Sequence, residues 1–157
     1  MTASNKSDIL KKVHSFCAYQ DRSSQQVVEK LEKLGAPVEW REEILEQLKA
    51  EKFLDDCRFS ISYARGRFFQ KKWGRIKILR GLLTHGIDEA LAEEALREIG
   101  SADYYQLIRD LILQKRGSFE KKPGAVEMDK TYRYLLSKGF EVELILPELK
   151  KFDWSGD

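Results

Sequence analysis

Three glycines, Gly35, Gly86 and Gly139, lie 51 and 53 residues apart, and the residues around them match column by column. Leu31, Leu82 and Leu135 stand four positions before each glycine, and Ala36, Ile87 and Phe140 one position after. Five positions after come Trp40, Leu91 and Leu144, and thirteen after come Leu48, Ile99 and Phe152. Each glycine closes an amphipathic segment, where it can take the left-handed conformation that ends a helix. A period near fifty residues with four apolar columns implies one supersecondary unit used three times.

Each unit reads as a first helix, a short turn, a second helix ending at the glycine, and a third helix. The spacing of apolar residues at three and four predicts helices at 8–20, 24–34 and 38–51, at 55–72, 75–85 and 88–99, and at 103–116, 128–138 and 141–151. Only three prolines interrupt the chain, at Pro37, Pro123 and Pro147, and no segment alternates as a strand would. The fold class expected is all-α, an elongated array of three tandem three-helix repeats, since one such unit buries too little alone. Its parts are a flexible tail at 1–7, repeat 1 at 8–54, a basic repeat 2 at 55–102, and repeat 3 with a C-terminal tail at 103–157. The linker RGSFEKKPGAVE in repeat 3 is longer than its counterparts and is the expected mobile loop.

Charge is distributed unevenly. The chain carries 28 basic and 26 acidic residues, yet residues 57–87 hold eight cations and no carboxylate: Arg58, Arg65, Arg67, Lys71, Lys72, Arg75, Lys77 and Arg80. The remainder is therefore acidic, with 20 basic against 26 acidic residues. Such asymmetry points to an anionic partner, whether nucleic acid, an acidic protein surface or a membrane, against the alternative of a merely solvated face. Two cysteines make no disulfide framework, and no apolar run has the length of a signal or membrane segment, so a cytoplasmic monomer without membrane attachment is expected.

Helical geometry arranges the cations. On 55–72, Cys57, Ile61, Ala64 and Phe68 form a narrow apolar stripe, with Arg58, Arg65 and Lys72 in a row beside it and Arg67 and Lys71 on the other flank. Phe59 and Tyr63 point away from that stripe. On the next helix Ile76, Ile78, Leu79, Leu82 and Leu83 make an apolar side and leave Lys77 and Arg80 together. Between the helices Trp73 is expected in the core, Gly74 in the turn, and Arg75 at a helix start whose amides favour anions.

Signatures of catalysis are absent: there is no phosphate loop, HExxH, GxSxG or paired CxxC. His14 with Cys17, joined by Cys57 and His85, is too loosely spaced to indicate a metal site, and no cofactor is expected. Asp55 and Asp56 could serve an acid/base hydrolase, but immediately before a helix they read as caps. A helix-turn-helix reading fails on DEALAEEALREI, whose acidic face would repel phosphates.

The stretch LDDCRFSISYARGRFFQKKWGRIKILRGLLTHGID resembles the central signature of the RecX family of bacterial recombination regulators, through Leu54, Asp55, Asp56, Phe59, Arg65, Arg67, Lys71, Gly74, Ile78, Leu82, Gly86 and Ile87. DRSSQQVVEKLEKLG is similar to the segment preceding it in that family, through Arg22, Ser24, Leu31 and Gly35. Repeat 3, with Phe119, Pro123 and the tail FDWSGD, follows the pattern less closely. The resemblance implies tandem three-helix repeats and a protein that lodges in the groove of the RecA recombinase filament on single-stranded DNA. It would there lower ATP hydrolysis, coprotease activity and strand exchange. The basic residues named above, Arg58, Arg65, Lys72, Lys77 and Arg80 foremost, are the expected contacts to filament acids or DNA phosphates. The alternative is a helical protein that binds single-stranded DNA without a recombinase, stacking bases on Phe59 or Tyr63.

Overall fold

A computed structural model describes residues 5–156, and every regular element among them is helical. In chain order these are α1 (Lys6–Tyr19), α2 (Ser24–Lys33), α3 (Val38–Ala50), α4 (Asp56–Phe69), α5 (Arg75–Thr84), α6 (Glu89–Arg97), α7 (Ser101–Gly117), α8 (Ala125–Ser137) and α9 (Val142–Leu149). The all-α helical repeat expected from the glycine spacing is thus present. Residues 1–4 of the expected tail lie outside the described residues. Lys6 and Ser7 already belong to α1, because the Asn5 side chain accepts the Asp8 amide at 2.8 Å and caps the helix there.

The three glycines do the same physical work. Gly35, Gly86 and Gly139 have φ of 77°, 79° and 95°, the left-handed region open to glycine. Past each one, the next residue donates its amide back into the helix: Ala36 to Leu31 at 2.9 Å, Ile87 to Leu82 at 3.1 Å, Phe140 to Leu135 at 3.2 Å. These are the long bonds of a Schellman stop, which brings the residue after the glycine against the one four before it. That pairing explains two of the sequence columns: Leu31 with Ala36, Leu82 with Ile87 and Leu135 with Phe140 are all buried. The Trp40, Leu91 and Leu144 column is only half-buried, so its role is to cover the core's edge.

Two compact units result, one from Met1–Tyr63 and Leu82–Ala95, the other from Ala64–Gly81 and Leu96–Asp157. Helices α4, α5 and α6 contribute residues to both. In the first unit, α1, α2 and α3 surround Ile9, Val13, Val27, Leu31, Ile44 and Leu48. Ser23 caps α2 through a reciprocal box with Gln26, and Asp56 accepts both the amide and the hydroxyl of Ser24 at 2.7 Å. Asp56 is therefore not a cap of α4, as its position suggested. Asp55 fills that role, accepting the Arg58 amide at 3.0 Å.

In the second unit, α7, α8 and α9 pack on one another around Ile108, Ile112, Leu135, Ile145 and Leu149. Phe68, Tyr104 and Phe140 form an aromatic column, with ring centroids 5.8 and 5.4 Å apart. The long linker before α8 is tied down. Gly156 donates to the Pro123 carbonyl at 3.1 Å, the Trp154 indole donates to Leu149 at 2.7 Å, and Arg116 binds the Asp153 carbonyl. Residues 152–156 of the tail, unreadable as structure from sequence, are what hold it.

Along α4 the buried face is Phe59, Ser60, Ala64 and Phe68, while Cys57 is exposed and Ile61 half-buried. The expected stripe is therefore rotated. The Ser60 hydroxyl donates to the Asp56 carbonyl at 2.7 Å, so this side chain is buried without the cost of an unpaired group. On α5, Ile76 and Leu83 are exposed rather than part of the apolar side.

The glycine stops differ in how tightly they are enclosed. A Cβ on Gly35 would meet nothing within 4 Å, whereas one on Gly139 would strike Lys77, with the Lys77 amide nitrogen at 2.6 Å. Gly35→Ala should cost only the left-handed conformation, about 1–2 kcal/mol. Gly139→Ala should cost clearly more in urea unfolding, and equal losses would show that the enclosure of Gly139 is unimportant.

Candidate anion-binding site of the second unit

Gly74 sits where α5 begins, buried directly against the end of α8. Its amide donates to the Lys138 carbonyl at 2.7 Å, and the Ile76 amide donates to the Gly139 carbonyl at 3.0 Å. A side chain at Gly74 would overlap the Gly139 carbonyl and the Phe140 amide, so only glycine fits. Between these bonds, the Arg75 amide donates to the Tyr104 hydroxyl at 2.9 Å. The first amides of α5 are thus consumed by the fold. The anion site expected at this helix start is absent for that reason.

Arg75 itself is locked into the same join. Its guanidinium binds Glu141 at 3.0 Å and lies 3.8 Å above the Tyr104 ring, while the Tyr104 hydroxyl donates to the other oxygen of Glu141. Burial, and then the neighbouring carboxylate, hold the Tyr104 phenol far above its ordinary range, outweighing the Arg75 amide and guanidinium. In the first unit Arg58 is similarly engaged, bonding Asp21 at 2.7 Å and the carbonyls of Lys52 and Phe53 at 3.1 and 3.3 Å. Two of the eight expected contact residues therefore spend their charge on holding loops and helix ends.

The join places the other cations. Helix α4 ends at Phe69, so Lys71 and Lys72 leave the predicted helical rows. The chain turns on Lys72, whose φ of 61° is left-handed, as its amide reaches Phe68 at 3.1 Å and that of Trp73 reaches Arg67 at 3.0 Å. Trp73 is half-buried rather than a core residue, with the Lys77 ammonium 4.6 Å and the Arg67 guanidinium 5.5 Å from its ring centre. Across the join, Lys138 donates to the Lys71 carbonyl at 2.7 Å. Burial lowers the pKa of Lys138, and the charges of Lys77, Lys71 and Lys72 lower it further.

Arg67 and Lys77 thereby flank Trp73, and Lys71, Lys72 and Lys77 lie close enough to Lys138 for their charges to act on it. Lys138 could not be found from the basic block because it follows α8, more than fifty residues away. Its signal lies in its position one residue before the third repeat glycine, but only the Gly74 contact makes that position matter. Arg65 and Arg80 are exposed elsewhere on the α4 and α5 segments. A planar aromatic ring held among cations, with lysines turned to solvent, can take phosphate or carboxylate groups and one flat apolar surface together.

Other candidate features have structural roles. Phe59 is buried, and Tyr63 and His85 pack around it at 5.7 Å, so Phe59 is not available to stack on a base. His14 bonds Glu51 at 3.2 Å and meets the edge of Phe53. Among the described residues no three His, Cys, Asp or Glu side chains are grouped as a metal site would need, and no helix is long and apolar enough to cross a membrane.

The helices and their glycine stops define an all-α helical repeat protein, and comparison with known proteins shows its family. Residues 55–96 match the RecX second three-helix domain and residues 102–146 the RecX third three-helix domain. The chain belongs to the RecX family of regulatory proteins. It is 30% identical over 94% of its length to the regulatory protein RecX of Bacillus licheniformis and 28% identical over 90% to that of Oceanobacillus iheyensis. It spans about half the length of those two relatives, 56% and 52%, but 93% of the Prosthecochloris aestuarii RecX, to which it is 29% identical. The crystal structure of RecX from Lactobacillus salivarius superimposes with a TM-score of 0.80 at 23% identity, over 92% of this chain and 97% of that one.

The Tyr104 network gives a pH prediction. Because the folded phenol titrates above its unfolded value of about 10, its stabilisation is complete below that pH and is lost as pH rises beyond it. Tyr104→Phe should cost about 1–3 kcal/mol near neutrality by leaving the Arg75 amide and Glu141 short of a partner. It should also flatten the fall in stability above pH 10, measured by chemical denaturation. An alkaline limb of unchanged slope would assign that fall to other groups.

Proposed function

We propose that this protein binds the RecA recombinase filament on single-stranded DNA and restrains its ATPase, coprotease and strand-exchange activities. Family membership supplies the regulatory role. The observation that carries the reading to particular residues is the lysine and arginine cluster around Trp73, which suits a charged filament surface. Arg65 and Arg80, exposed on α4 and α5, extend the basic surface of the same segments. The protein acts in the cytoplasm as a monomer and performs no chemistry of its own. Asp55 and Asp56, the carboxylate pair a hydrolase would need, are occupied by the backbone amides of Arg58 and Ser24.

A second reading, direct binding of single-stranded DNA without recombinase, is favoured by one observation, the cation-flanked ring of Trp73. It shifts the stacking role from Phe59 to Trp73. The two readings separate in a single experiment.

The experiment is a titration of the single-stranded-DNA-dependent ATPase of the cognate RecA, beside a binding assay on the same DNA alone. The expected result is inhibition at protein concentrations that leave naked DNA unoccupied, lost in a folded Arg65→Glu, Arg80→Glu double variant. Unchanged ATPase would overturn the filament reading. Full inhibition by the folded double variant would remove these two arginines from the contact.

A further inference from the structure

Lys138 is unlike the other lysines of the cluster. Its side chain is half-buried at the end of α8, and its Nζ has one fixed partner, the Lys71 carbonyl at 2.7 Å. No carboxylate pairs with it among the described residues. Glu141, three positions on, is committed to Arg75 and Tyr104, while Lys71, Lys72 and Lys77 oppose its charge. Partial burial and three like charges enlarge the share of Lys138 that is neutral, which is the nucleophilic form of a lysine. A neutral amine can keep its bond to the Lys71 carbonyl through one N–H and still present its lone pair. The same surrounding lysines concentrate small anions at that point.

We propose that Lys138 is a site of acylation by small acyl phosphates, with Lys71, Lys72 and Lys77 holding the phosphate. In this step Nζ attacks the acyl carbon, and the new N–C bond forms as the bond from that carbon to the bridging phosphate oxygen breaks. Inorganic phosphate leaves with that electron pair, and the surplus proton on nitrogen passes to solvent. The resulting amide retains one N–H for the Lys71 carbonyl, so the join with Gly74 survives while the cluster loses a charge. Acylation thereby becomes a means of weakening the cluster for any anionic partner without unfolding the protein.

The test uses acetyl phosphate on the full chain, with initial acetylation rates at each lysine read by mass spectrometry. Lys138 should be modified about tenfold faster than exposed Lys33, the lower end of what a focused field contributes. A folded Lys71→Gln, Lys77→Gln variant should lose most of that preference. An uncharged acetyl ester of N-hydroxysuccinimide, offered to the wild type, should show a smaller preference than acetyl phosphate. Acetylation of Lys138 no faster than Lys33 would overturn the proposal. Equal preference for the charged and uncharged reagents would overturn the role given to the neighbouring lysines. Neither readout involves RecA, so each outcome is independent of the regulatory reading.

Discussion

The contact of Gly74 with Gly139 governs the second unit. Two backbones meet there without room for a Cβ on either, and two amides at the start of α5 find their acceptors at the end of α8. The Tyr104 hydroxyl satisfies the amide between them, and Glu141 and Arg75 complete the join. Much of the cationic cluster adjoins this join: Trp73 precedes Gly74, Lys77 packs against Gly139, and Lys138 precedes Gly139. Charges that repel one another are held together because hydrogen bonds and packing nearby outweigh a partly screened repulsion.

The repeat itself was legible in the sequence because its signal is local. A left-handed glycine with apolar residues four before and one after is a complete physical unit, and the bonds of Ala36, Ile87 and Phe140 reproduce it three times. The all-α class and most helix positions follow from the same local periodicity. Errors arose where a long-range contact decided. Asp56 looked like a cap of α4 but reaches Ser24 at the start of α2.

The site was legible as a composition and not as an arrangement. Eight cations without a carboxylate marked the segment that supplies most of the cluster, but helical rows drawn through Lys72 ignored the turn after Phe69. Arg58 and Arg75 carry the same charge as Lys71 and Lys77, yet bonds to Asp21 and Glu141 give them a different task. Such partners lie far away in the chain, and Lys138 was invisible for the same reason. The family relationship extends across the chain, but which cations lie together follows from long-range contacts of the fold.

The central claim is that this cluster meets the anionic partner together with exposed Arg65 and Arg80, while Arg58 and Arg75 of the basic block serve the fold. The most direct measurement is the salt dependence of affinity for the RecA filament on single-stranded DNA, compared between the wild type and a folded Lys71→Gln, Lys77→Gln, Lys138→Gln variant. Binding that depends on released counterions weakens linearly on a logarithmic salt scale. The account predicts a clearly shallower slope for the variant with weaker binding at low salt. An identical slope and affinity would contradict it.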